Sequence, residues 1–203
     1  MIPENRRSIE LPGPAGKLEV VLDEPRAPPR AVALVAHPHP LYGGTLDNKV
    51  TQTLATTLAG VGCAALRMNF RGVGGSEGVH DEGRGETDDM EILARYALER
   101  FGQLPLYLAG FSFGCFVQYR MSLRLPPQRL VFVAPALKRF PMGEVAPGTL
   151  VIHGELDDTA PLADALDWAR PQNLPICVVP GADHFFHRRL AVIRQLVEMA
   201  CRA

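Results

Sequence analysis

The residues with most chemistry in them are Gly110-Phe111-Ser112-Phe113-Gly114. A serine between two such glycines suits a turn so sharp that the flanking positions have no room for a Cβ and the serine backbone is strained. That turn lifts the Ser112 hydroxyl clear of its surroundings. It also leaves the Phe113 N–H free to bind a developing oxyanion. The pattern GxSxG also arises by chance as a plain strand-to-helix turn, so partners must be found. A serine hydroxyl is a weak nucleophile without a base, and a histidine base needs a carboxylate to orient it.

Six histidines are available. His184 lies in Gly181-Ala182-Asp183-His184-Phe185-Phe186, a loop between a short apolar run and the last helical pattern. His187 falls at the start of that helix, and His153 ends an apolar run, where a structural role is expected. His80 sits in a polar loop. His37 and His39 follow an apolar run, where loop-shaping hydrogen bonds are expected rather than metal ligation, since no acidic or thiol partner accompanies them. The segment His153-Gly154-Glu155-Leu156-Asp157-Asp158 supplies candidate carboxylates. Taking Asp157, the chain order is Ser112, Asp157, His184.

The elements that must carry these residues alternate between apolar runs and helical patterns. Residues 8–11 and 17–22 read as strands around Gly13-Pro14-Ala15-Gly16. Residues 31–36, 64–69, 106–109, 130–134, 150–153 and 176–179 read as buried strands. Helices are expected over 47–58, over 87–101 with Thr87 as its cap and Asp88, Asp89 and Glu91 in its first turn, and over 191–202. Such alternation predicts an α/β fold, a mostly parallel sheet with helices on both faces, in one domain over 1–203. Active sites of such sheets lie beyond the carboxyl ends of the strands, where Ser112, Asp157 and His184 fall.

The chain has 21 Lys and Arg against 22 Asp and Glu, so no field of one sign favours nucleic acid or an anionic membrane surface. Its arginines are interleaved with acids and read as solvated surface. Cys63, Cys115, Cys177 and Cys201 show no CxxC or Cys/His grouping and are expected as buried free thiols. The first residues lack the apolar core of a signal peptide, and no apolar run spans a bilayer, so a cytoplasmic protein is expected. Arg71-Gly72-Val73-Gly74-Gly75-Ser76 lacks the GK[ST] ending of a phosphate loop and reads as a tight turn.

Taken together, the segments Ala36-His37-Pro38-His39-Pro40-Leu41-Tyr42-Gly43-Gly44-Thr45, Asn69-Phe70-Arg71-Gly72-Val73-Gly74, Gly110–Gly114, His153–Asp157 and Gly181–Phe186 resemble the α/β-hydrolase superfamily, most closely its small lidless serine hydrolases. The resemblance implies the fold of that superfamily. It places the acid of HGxxD at Asp157 rather than Asp158 and the base of GxxH at His184. It implies that the loop after residues 31–36 supplies the second oxyanion donor. Pro38 and Pro40 have no N–H, so His39 and Leu41 are the candidates. Relatives commonly insert a cap between the strands at 130–134 and 150–153. The short, proline-bearing stretch 135–149 excludes one, so an open, shallow site with a solvated His184 is expected.

The function these residues imply is hydrolysis of a carboxylic ester-type bond, in a short-chain acyl ester or thioester, through an acyl-enzyme. The partner expected is a small acyl substrate, with neither metal nor cofactor. A small amide or peptide hydrolase would use the same residues, and a non-catalytic ligand-binding protein on the same scaffold is the rival of another class.

Overall fold

The computed structural model describes residues 5–202. The chain opens with an antiparallel hairpin, β1 (Arg6–Gly13) and β2 (Gly16–Asp23), closed by Pro14 and Ala15. It continues through β3 (Ala31–Ala36), α1 (Lys49–Gly60), β4 (Cys63–Met68), α2 (Arg84–Phe101), β5 (Leu106–Phe111) and α3 (Phe113–Arg124). β6 (Arg129–Val133), β7 (Leu150–Gly154), α4 (Leu162–Ala169), β8 (Ile176–Val179) and α5 (Leu190–Cys201) complete it. The eight strands form one sheet in the order β1-β2-β4-β3-β5-β6-β7-β8, antiparallel only at the β1-β2-β4 end. This is the α/β-hydrolase fold anticipated from the sequence.

The central apolar runs are buried because both faces of the sheet are covered, whereas 176–179, expected as a buried strand, is the edge strand β8 and leaves Val178 exposed. On β3, Val32, Leu34 and Ala36 point into a core completed by Met90, Leu93 and Ala97 of α2 and Val117 and Met121 of α3. Ala31, Ala33 and Val35 point the other way, against Leu54 and Leu58 of α1 and Ile193 and Val197 of α5. Period-2 alternation therefore feeds two cores at once, and each buried Val or Leu contributes roughly 1.5–3 kcal/mol.

Several boundaries differ from expectation. α1 starts later because Asn48 caps it, its Oδ1 accepting the N–H groups of Val50 and Thr51. α2 starts a turn earlier than Thr87. Gly83 stands at φ +86° as its cap residue, and Glu86 accepts the Gly83 N–H. Thr87 is inside the helix, its hydroxyl donating to Gly83 O. Asp88, Asp89 and Glu91 consequently lie beyond the opening residues, and the acid of the first turn is Glu86. His187 precedes α5 rather than opening it. One arginine is not surface. Arg67 of β4 is fully buried, where it donates to Asp23 and to Leu46 O. Asp23 is itself buried and also receives Arg6, so the charges are paired rather than solvated.

The four cysteines are free, three of them buried and Cys177 partly so. Among the described residues no helix is long and apolar enough to cross a membrane. The parallel strands all end at one edge, and residues 135–149 between β6 and β7 form neither helix nor strand. No cap of helices or strands is inserted there.

Candidate active site

Ser112 links β5 to α3 with φ +55° and ψ −117°, a left-handed conformation unusual for a residue with a Cβ. The turn is anchored by its own backbone: Ser112 N–H donates to Val133 O at 2.9 Å, and Cys115 N–H donates to Ser112 O at 3.0 Å. Both flanking glycines are forced. A Cβ at Gly110 would lie 2.4 Å from Gly114 O, and one at Gly114 would lie 2.3 Å from Ala36 O, at the end of β3. Nearby Cys115 is fully buried with its thiol on Gly110 O and Val133 O. Burial pushes its pKa up, so it is no thiolate.

The structure brings Asp157, His184 and Ser112 together although 27 and 72 residues separate the pairs. Asp157 Oδ2 stands 2.8 Å from His184 Nδ1, and His184 Nε2 stands 3.1 Å from Ser112 Oγ. The other carboxylate oxygen accepts the N–H groups of Thr159 at 3.0 Å and Ala160 at 2.7 Å. With Nδ1–H donated to the carboxylate, Nε2 presents its lone pair to the hydroxyl, which is the geometry proton abstraction needs. Asp158 is exposed and, among the described residues, its carboxylate meets only the Thr159 hydroxyl. His153 lies closer to this line than a remote structural residue. Its Nε2 is 2.7 Å from Ala160 O and 3.5 Å from Asp157 Oδ2. Burial lowers its pKa, so it is neutral and donates Nε2–H, bracing the loop that carries the acid.

The expectation of a solvated His184 fails. The residue is 3% exposed, because the Phe111 and Phe185 rings stand 5.0 and 5.1 Å from its own. Lidless does not mean uncovered when the end of β5 and the loop that carries His184 contribute aromatic rings. His187 is exposed and paired with Asp183 instead, Nδ1 to Oδ2 at 2.6 Å, which holds the Asp183 carboxyl below its usual range.

The loop after β3 is tied from several sides. His37 is fully buried. Its Nε2 accepts the Phe70 N–H at 2.9 Å, and burial lowers its pKa to about 3, so it stays neutral. His39 Nδ1 accepts the Leu41 N–H at 3.2 Å. Leu41 is thus corrected as an oxyanion donor, its amide being already engaged. The His39 N–H has no acceptor among the described residues. Gly44 presses on this loop: its N–H donates to His39 O at 3.0 Å, and a Cβ there would lie 2.1 Å from Pro38 O. Phe113 is the first residue of α3, so its N–H has no intrahelical acceptor.

Beside this loop stand groups the sequence did not single out. His80 lies in the loop before α2, as expected, but its side chain is only 7% exposed. Its ring packs 4.7 Å from His39 and 5.4 Å from Phe113. Its Nδ1 is 2.7 Å from Glu86 Oε1, and Glu86, fully buried, also accepts the N–H groups of Asp81 and Gly83. Only the helical phase of α2, which starts a turn before Thr87, points to Glu86. Arg139 flanks the same group, its guanidinium 4.8 Å from the centre of the Tyr42 ring. Burial, together with the neighbouring His80 and Arg139, lowers the His39 pKa to about 4. Arg71 forms a two-pronged pair with Asp89 at 2.8 and 2.7 Å, which braces the turn at 71–76. Among the described residues no three His, Cys, Asp or Glu side chains converge as a metal site.

A profile of the family described as serine aminopeptidase, S33, matches residues 27–161, which include Ser112 and Asp157. An uncharacterised protein of Rickettsia prowazekii is 32% identical over 194 residues, spanning 88% of this chain and 81% of that protein. Among solved structures, XC6422 from Xanthomonas campestris, an α/β serine hydrolase without a lid, is 35% identical with a TM-score of 0.91, over 100% of this chain and 96% of its own. An α/β serine hydrolase homologue from Coxiella burnetii is 33% identical with a TM-score of 0.89, over 98% of each chain.

Proposed function

Given that the chain belongs to the serine aminopeptidase S33 family, within the lidless α/β serine hydrolases, we propose that it hydrolyses a carboxylic ester-type bond in a small acyl substrate, a short-chain ester or thioester, with Ser112 as nucleophile, His184 as base and Asp157 as the orienting acid. The observation that carries this reading is the unbroken line Asp157 Oδ2–His184 Nδ1, His184 Nε2–Ser112 Oγ, ending on a serine held at φ +55°.

Ser112 Oγ adds to the acyl carbon as its proton passes to His184 Nε2. The carbonyl oxygen becomes an oxyanion facing the N–H groups of Phe113 and His39. His184 then protonates the departing alcohol or thiol, leaving the acyl group on Ser112. A water gives its proton to His184 and adds to the acyl carbon. The carboxylic acid departs as Ser112 recovers its proton. Asp157 stabilises the imidazolium throughout without being protonated.

The test is labelling with a fluorophosphonate, followed by turnover of p-nitrophenyl esters of graded chain length, a matched thioester and a matched anilide. Labelling of the native chain and its loss in Ser112→Ala are expected, with ester and thioester turnover exceeding that of the anilide, and with EDTA without effect. Full turnover in a folded Ser112→Ala protein would remove the nucleophile. Anilide turnover above that of the esters would replace the ester reading by an amidase.

A further inference from the structure

Arg139 is exposed but not loose. Its guanidinium carbon sits 4.8 Å from the Tyr42 ring centre and 5.5 Å from that of Phe140. Tyr42 meets His39 edge-on at 4.9 Å. Phe140 packs 4.9 Å from Phe113 and 5.5 Å from His39. The cation therefore stands one aromatic ring away from each of the two residues whose N–H groups face the oxyanion.

The same side chain lines a cavity of about 330 Å³ between the segment after β6 and the loop after β7. Lys138 lines it too, and Ala160, whose N–H holds Asp157, forms part of the opposite wall. Asp164, at the start of α4, is the one acid in the lining, so two cations face a single carboxylate. Among the described residues neither Lys138 nor Arg139 is in an ion pair.

A guanidinium resting on aromatic rings keeps its N–H edge turned outward, and its planar fork matches the paired oxygens of a carboxylate or phosphate. The rings also cut the freedom that makes most exposed cations weak binders. A wholly neutral substrate would use none of this. We propose that Arg139 determines specificity, and that the substrate carries an anionic group, carboxylate or phosphate, which lies over Tyr42 and Phe140 while its acyl carbon meets Ser112. This rests on Ser112 being the nucleophile.

The test compares neutral and anionic esters within one protein. On the acyl side the pair is p-nitrophenyl butyrate and mono-p-nitrophenyl succinate. On the alcohol side, phenyl acetate is set against para-acetoxybenzoate and para-acetoxyphenyl phosphate. The readout is the ratio of kcat/KM, anionic over neutral, so that any loss of folded protein cancels. The native chain should favour at least one anionic ester by about tenfold. The ratio should fall to near unity in Arg139→Gln, be intermediate in Arg139→Lys, and shrink with added salt. The pair that responds identifies which side carries the charge, and the two alcohol-side anions separate carboxylate from phosphate. Ratios at or below unity for every native pair, or an undiminished ratio in Arg139→Gln, overturn the proposal. Ser112→Ala on the neutral esters separates the failures. Turnover there sinks the nucleophile, whereas a dead Ser112→Ala beside an Arg139-independent ratio sinks only the anion preference.

Discussion

Asp157 and Asp158 are neighbours in the chain and opposites in circumstance. One is 6% exposed and holds two backbone amides and an imidazole; the other faces solvent. An asparagine at 157 cannot stabilise an imidazolium and favours the wrong histidine tautomer, which costs roughly 10⁴ in kcat in the protease precedent. Asp157→Asn should therefore lower kcat by about that factor, while Asp158→Asn stays within about twofold, since its side chain meets an exposed hydroxyl. Steady-state ester hydrolysis by the two variants checks this, and the reverse ranking would move the acid by one residue. His80 offers a subtler case. It packs on both residues assigned to the oxyanion hole and is itself held by Glu86. A shift of about 1 Å in such a hole costs on the order of a hundredfold. His80→Ala should lower kcat by about ten- to a hundredfold with little change in KM, and His80→Asn, which can still donate to Glu86, should recover part of it. A rise in KM at unchanged kcat would place His80 in ground-state binding instead.

Among the elements, the start of α2 shows how a helix can be closed by a residue inside it. Glu86 accepts three donors, the N–H groups of Asp81 and Gly83 and the His80 ring, with no solvent to replace it. Thr87, which the capping preference points to, contributes one hydroxyl bond to Gly83 O. Removing a buried acceptor leaves each donor unsatisfied at about 1–3 kcal/mol. Glu86→Ala should thus cost more than about 3 kcal/mol in urea unfolding and Thr87→Ala about 1 kcal/mol. Equal losses would return the cap to Thr87.

For the molecule as a whole, the consequence of burying histidines is acid sensitivity. His37 is neutral in the fold with a pKa of about 3, and burial also lowers that of His153. In the unfolded chain a histidine takes up a proton near pH 6.5. Between that value and about 3 the unfolded state holds more protons, so stability is full above pH 6.5 and is lost as pH falls below it. His37 alone contributes a slope of about 1.4 kcal/mol per pH unit in that window. Asp183 and Asp81, whose folded pKa values are lowered, add their losses only as pH falls through the ordinary carboxylate range and below. The urea midpoint should hold steady from pH 8 to about 6.5 and then decline well before carboxylates titrate. A midpoint flat down to about pH 5 would mean that these imidazoles charge without unfolding cost.

What the sequence determined by itself is local in origin. Strands buried on both faces show as unbroken apolar runs, and the elbow shows through two glycines with no room for a Cβ. The chain order of Ser112, Asp157 and His184 shows once each is seen to follow a strand. The start of α2 is not legible in this way, because Gly83 looks like a breaker until Glu86 closes the turn over it. Other features depend on which distant segments meet. Leu41 and His39 are equally plausible donors until the His39 ring turns back onto the Leu41 amide. His184 reads as solvated until Phe111 and Phe185 close over it. Arg67 reads as surface until Asp23, 44 residues away, meets it in the interior. His80 and Arg139 come to the site only because the loops after β3, β4 and β6 converge at one edge of the sheet. Burial and charge pairing are properties of the packed sheet and its loops, and no spacing along the chain encodes them.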